Sequence, residues 1–232
     1  IKNFWRWFGD SKVVDAEGKP LVMYHGTSEN FNEFEMHRES NRYTTFTKSD
    51  VTTQGAFFSP EKSDAKGYGQ RVIEGYLSIE NPIKNPADAP LSSRSTPEEM
   101  ALSKKLWDDV EYILEPLMYE ENGKKYIDVE NGMQRKEVDK DGEWVNSALY
   151  DGYMDWDYLD NPEVVSRMKE RGYDGALVAE PNDSSGYSWF ITDPTQIKSA
   201  TGNAGSFSKS ERSILKHAPK EKSVLDIPVS KE

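Results

Sequence analysis

The chain contains no cysteine. That excludes a disulfide framework and any zinc site built on thiolates, and it gives no sign of an oxidising compartment. Long apolar runs are missing too, and no stretch has the pattern of a signal peptide, so neither a membrane span nor secretion is expected. Basic residues are in deficit: 29 Lys and Arg against 41 Asp and Glu leave a net charge of −12. So acidic a chain repels phosphate backbones at long range, which argues against nucleic acid as the default partner unless a local basic patch overrides it. Hydrophobic residues make up only 35% of the chain and charged ones 30%, but a 12% share of aromatics supplies core area. A folded core with polar tails is expected rather than a disordered chain. Three chemical signatures are absent: Gly-x-Gly-x-x-Gly, the Walker A loop and His-Glu-x-x-His. Asp139-Lys140-Asp141-Gly142 lacks the further ligand and the later Glu that a calcium loop needs, so no metal is expected.

What the chain does have is organised around residues 21–68. Leu21 to Thr27 reads Leu-Val-Met-Tyr-His-Gly-Thr, a short apolar strand ending in His25 and Gly26. Gly55-Ala56-Phe57-Phe58-Ser59 is a second short apolar strand, and Glu61 to Gly69 reads as a helix carrying Tyr68. Between the two strands, Ser28 to Gln54 reads as a polar excursion anchored by Phe31 and Phe34. A histidine at a strand end beside bare backbone, with aromatics on neighbouring elements, suits a planar ligand bearing an amide, such as nicotinamide.

The remaining elements follow from pattern and punctuation. Phe4 to Phe8 is an aromatic cluster expected to pack on the core, and Lys12 to Asp15 a short strand. Arg71 to Ile79 reads as a strand, and Glu98 to Glu115 as a helix started by Thr96 and Pro97. Asn122-Gly123, Asn131-Gly132 and Asp141-Gly142 are hairpin turns in an antiparallel excursion. Asn161 to Arg171 is a helix ended by Gly172. Ala176 to Ala179, Ser188 to Thr192 and Gln196 to Ala200 are strands, and Pro181 to Gly186 is a loop.

The ordered set of motifs resembles the ADP-ribosyltransferase superfamily in its diphtheria-toxin and poly(ADP-ribose)-polymerase-like branch. It is most similar to the ADP-ribosyltransferase domains of phage and mobile-element polyvalent proteins. The resemblance rests on Trp7 to Asp15, Gly18 to Thr27, Gly55 to Phe58, Tyr68, Gly172 to Gly175 and Gln196 to Phe207. It implies an α+β fold, with a split pair of mainly antiparallel sheets, a cleft between them, peripheral helices and a subdomain inserted over residues 86–160. The domain is expected over residues 1–207, with a flexible tail or linker over 208–232. A chain starting at Ile1 is expected to be a fragment or a processed product.

In function, the resemblance implies mono-ADP-ribosyl transfer with NAD as substrate and no metal. His25 would bond the ribose, the Gly26 backbone the carboxamide, and Tyr68 would stack on nicotinamide, with Thr27, Phe57, Phe58 and Ser59 completing the NAD site. Phe57 stands where many relatives carry Tyr. The family's late Glu falls at Ser188, a departure that Glu180 or Asp183 would have to make good. The rival readings are an NAD glycohydrolase and an inactive NAD- or protein-binding module. The acceptor implied is a protein, with nucleic acid as the alternative, and the location is the cytoplasm of a bacterial host or delivery with phage or mobile-element DNA.

Overall fold

The computed structural model describes residues 2–43, 48–84, 97–129, 134–139, 144–149, 153–180, 182–203, 205 and 207–215. The helices are α1 (Lys2–Phe8), α2 (Lys62–Ala65), α3 (Pro97–Leu114), α4 (Trp144–Ala148) and α5 (Pro162–Glu170). The strands are β1 (Met23–Thr27), β2 (Arg38–Tyr43), β3 (Lys48–Thr53), β4 (Ala56–Phe58), β5 (Arg71–Leu77) and β6 (Pro82–Ile83). After them come β7 (Tyr119–Glu121), β8 (Lys124–Val129), β9 (Gln134–Glu137), β10 (Gly175–Glu180), β11 (Gly186–Ile191) and β12 (Ile197–Ser199).

Two sheets carry the fold, in the α+β arrangement expected. One runs β1-β5-β12 and the other β4-β11-β10-β6, antiparallel throughout except for the parallel β10–β6 pair. Period-two alternation sends Trp189 and Ile191 of β11 to one face of the second sheet and Phe190 to the other. On the first face they join Met23, Leu77 and Ile197 of the other sheet in a shared core. On the second face Phe190, Ala176 and Val178 pack with Ile113, Val145, Val165 and Met168 of α3, α4 and α5. Full burial of each Val, Leu, Ile, Phe or Met side chain in these two layers stabilises by about 1.5–3 kcal/mol.

Polar stitches fix how the sheets meet. Tyr24 and Ser59 exchange two backbone hydrogen bonds of 2.9 Å, joining β1 to the end of β4. Gln196 donates to the carbonyls of Ser78, just beyond β5, and Asp174, just before β10. Helix α5 begins as its sequence dictates: Asn161 Oδ1 accepts from the amides of Glu163 and Val164, with Pro162 at the first helical position. The Asn122-Gly123 turn has φ of 54° and 75°, the primed geometry that a two-residue hairpin requires, and links β7 to β8. Trp7 and Phe8 of α1 are buried, and Trp7 Nε1 donates to the Thr195 carbonyl at 2.9 Å.

Several elements differ from expectation. The polar excursion contains an antiparallel hairpin, β2–β3, with Arg38 opposite Thr53 and Tyr43 opposite Lys48. The helix carrying Tyr68 is one short turn, α2, continued by a 3-10 turn over Lys66–Tyr68. Lys12 to Asp15 contributes only a bridge from Val14 to Pro20, closed by Asp15 Oδ1 on the amides of Glu17 and Lys19. The tail expected from Ser208 begins instead with a docked strap: Ile214 is buried, its amide donates to Asn32 O, and its carbonyl accepts from Ser199 N. Fully buried Lys198 donates from Nζ to the carbonyls of Glu211 and Ser213 beneath it. Residues 85–96 with Thr96, the expected turns at Asn131-Gly132 and Asp141-Gly142, Pro181 and residues 216–232 lie outside the described residues.

Candidate active site

The site grows from the Tyr24–Ser59 stitch, which sets His25 beside β4. His25 Nδ1 lies 2.8 Å from the Phe57 carbonyl oxygen. A carbonyl only accepts, so Nδ1 carries the proton and Nε2 is the nitrogen left to face a ligand. The half-buried ring sits edge-on to Phe34, with centroids 5.0 Å apart, and tilted against Phe58 at 5.3 Å. Burial pushes the imidazole below its ordinary value; the Phe57 carbonyl opposes this, and the nearby Arg38 adds to it. The result is a neutral histidine at pH 7, oriented by one backbone bond and two aromatic walls.

Gly26 is glycine for a steric reason. A Cβ there would lie 1.7 Å from the Ala65 carbonyl oxygen and 3.1 Å from Cβ of Tyr68. Any side chain would push away the turn that presents Tyr68. The contact is reciprocal, because a Cβ on Gly69 would lie 2.3 Å from the Thr27 carbonyl carbon. Tyr68 is therefore held against bare strand backbone, and it is 64% exposed.

Three residues of the expected NAD set take other places. Phe58 is fully buried and offers no surface, so its contribution is the wall behind His25. Thr27 is buried and its Oγ1 accepts from Glu29 N at 3.1 Å, turning the chain out of β1. Buried Ser59 accepts from Glu61 N at 3.0 Å at the entry to α2. Phe57, by contrast, is half-buried, with its ring 4.9 Å from that of Phe190.

The register of the second sheet decides what surrounds Ser188. Phe57 is opposite Phe190, and Ser188 lies two residues before Phe190 on the same strand, so Ser188 and Phe57 share a face. Ser188 is opposite Val178, two residues before Glu180 on β10. Glu180 thus reaches the same face, and Ser188 Oγ donates to Glu180 Oε1 at 3.1 Å. The serine that stands where the resemblance implies a carboxylate is bonded to one from the next strand.

One residue of this region carries no signal in the sequence. Asp64 of α2 accepts at Oδ1 from the amide and hydroxyl of Ser184 (3.2 and 2.7 Å). At Oδ2 it accepts from the amide and hydroxyl of Ser185 (3.2 and 3.1 Å) and, more distantly, from Ser59 Oγ (3.4 Å). Desolvation works to raise its pKa, and the bonds from Ser184 and Ser185 outweigh it, leaving the carboxyl below its ordinary value. Asp183, in the same loop, is pushed up by burial and by the charge on Asp64.

The model of a known family, ADP-ribosyltransferase in polyvalent proteins, matches residues 15–207, which takes in β1, β4, the Tyr68 turn, β10 and β11. No curated protein and no solved structure matches the chain. With that match running through both sheets and every residue of the site, the chain belongs to the ADP-ribosyltransferases of polyvalent proteins.

Proposed function

We propose that this domain is an NAD-dependent mono-ADP-ribosyltransferase that passes ADP-ribose to a protein acceptor. The observation that carries the reading is the Ser188–Glu180 pair, which provides a carboxylate where the family's late Glu is missing. In the reaction, the bond between ribose C1′ and the nicotinamide nitrogen breaks and its electron pair leaves with nicotinamide. The ribose develops oxocarbenium character, which a fixed negative charge stabilises more in the transition state than in the substrate. An acceptor oxygen or nitrogen then bonds C1′ and loses its proton to solvent.

Each residue has its own task in this scheme. Neutral His25 accepts a ribose hydroxyl at Nε2. The Gly26 backbone bonds the carboxamide, and Tyr68 and Phe57 sandwich the nicotinamide ring. Ser188 and Glu180 act as a unit at the ribose, the serine holding the carboxylate in place. The acidic surface favours a protein over a nucleic-acid acceptor, since a chain of net charge −12 repels phosphate. The setting we infer is the cytoplasm of a bacterial host of a phage or mobile element.

Incubation with NAD labelled in its adenylate half, in the presence of a bacterial lysate, tests the reading. Label in macromolecules supports transfer. Label released only as ADP-ribose makes the protein a glycohydrolase, and unconsumed NAD contradicts both.

A further inference from the structure

We propose that Asp64 is a positioning residue that locks loop 182–186 onto the helical turn of Tyr68, and that this lock directs ADP-ribose to a macromolecular acceptor rather than to water. The proposal rests on the transfer reading above. Asp64 lies four residues before Tyr68, on the turn that packs on Gly26. Its two oxygens collect the amides and hydroxyls of Ser184 and Ser185, residues some 120 positions away. Bonds to an ionised acceptor are roughly twice as strong as neutral ones, and the two amides and the Ser184 hydroxyl fix the loop to the turn, with the single Ser185 hydroxyl hydrogen shared between Asp64 and the Tyr187 carbonyl.

The loop is flanked by both members of the ribose-facing pair. Glu180 ends the strand before it, and Ser188 follows two residues after Gly186, whose φ of 73° turns the chain into β11. A macromolecule that presents a nucleophile to C1′ beside Glu180 must seat itself against this loop, whereas water needs no such seat. Both routes break the same bond from C1′ to nicotinamide and differ only in which oxygen or nitrogen closes on C1′. Loosening the loop therefore removes the advantage of the macromolecular acceptor without removing bond cleavage.

The test measures acceptor-bound label and free ADP-ribose together for wild type, Asp64→Asn and the double variant Ser184→Ala/Ser185→Ala, with labelled NAD and a bacterial lysate as the acceptor pool. Ser184 is exposed and Ser185 only partly buried, so the double variant leaves the core intact even if Asp64→Asn disturbs the fold. Expected for both is a drop of up to about 10²-fold in transfer, the scale of effect from a reactant misplaced by about 1 Å, with total NAD consumption near that of wild type. An unchanged ratio of transfer to hydrolysis, or a parallel fall of both, overturns the role of Asp64 while leaving the enzyme reading intact. A wild type that consumes no NAD, or yields only free ADP-ribose, removes the transfer reading and this inference with it.

Discussion

Ser188 Oγ donates to Glu180 Oε1 across 3.1 Å, from one antiparallel strand to the next. The pair changes what substitution at Ser188 does. If the site lacked a carboxylate, Ser188→Glu would supply it and raise turnover. With Glu180 already at hydrogen-bond distance, a second carboxylate in a buried position repels the first and one of the two stays protonated. Ser188→Glu should therefore lower NAD consumption, as read by nicotinamide release. A gain of about tenfold, equivalent to about 1.4 kcal/mol off the barrier, would show that Glu180 does not fill the role.

Tyr68 tests the stacking surface. Its ring is exposed beside Gly26, and stacking needs the ring and not the hydroxyl. Tyr68→Phe should keep NAD affinity, whereas Tyr68→Ala should weaken it by roughly 0.5–1.5 kcal/mol beyond the area lost. Calorimetric titration of both variants decides, and equal losses would assign the effect to the hydroxyl.

The strap over residues 208–215 should matter for stability. Ile214 is 3% exposed and its backbone bonds both Asn32 and Ser199. Ile214→Ala should cost about 2–5 kcal/mol, the usual range for a truncated core side chain. Since Asn32 precedes Phe34, which walls His25, the loss should also reach the site. Thermal melting checks the first effect and NAD turnover the second. A melting temperature equal to wild type would return the segment to the status of a loose tail.

Asp157 provides a pH test of the fold. Its carboxyl is pushed up to about 7 by burial, then by the charge of Asp155 and their shared hydrogen bond. A folded-state value above the ordinary 3.8 means that the folded protein keeps a proton the unfolded chain releases. Stability is then full below that ordinary value and is lost as pH rises through about 7. Asp157→Asn should therefore melt higher than wild type at pH 8. The gap should narrow toward pH 5, by about 1.4 kcal/mol for each pH unit once the carboxyl is protonated in the folded protein. A gap independent of pH would show that Asp157 does not titrate as its burial implies.

The parts of the site readable from sequence are those where residue type is dictated by contact. Gly26 can only be glycine because the backbone of the Tyr68 turn touches the strand there, and its place directly after His25 at the end of an apolar strand marks it as bare backbone. His25 and Phe57 follow from their places at short apolar strands. The β2–β3 hairpin is unreadable because its strands, Arg-Glu-Ser-Asn-Arg-Tyr and Lys-Ser-Asp-Val-Thr-Thr, have no apolar alternation. Ile214 and Leu215 stand alone in a polar stretch and dock through their side chains and the backbone bonds of Ile214, which leave no periodicity. The Asp64 clamp joins two polar segments 120 residues apart, so no local pattern announces it. The partnership of Glu180 with Ser188 depends on strand register, which places residues eight apart on one face.

Glu180→Gln tests most directly whether a carboxylate beside Ser188 serves the ribose. The amide keeps the shape and an acceptor for Ser188 but removes the charge. NAD consumption by the purified variant should fall about 10²-fold or more, the effect of losing one fixed electrostatic contact at a developing charge. Melting temperature and NAD affinity should stay near those of wild type. A Glu180→Gln protein that consumes NAD at the wild-type rate would contradict the assignment and leave Ser188 without the carboxylate on which the proposed reaction depends.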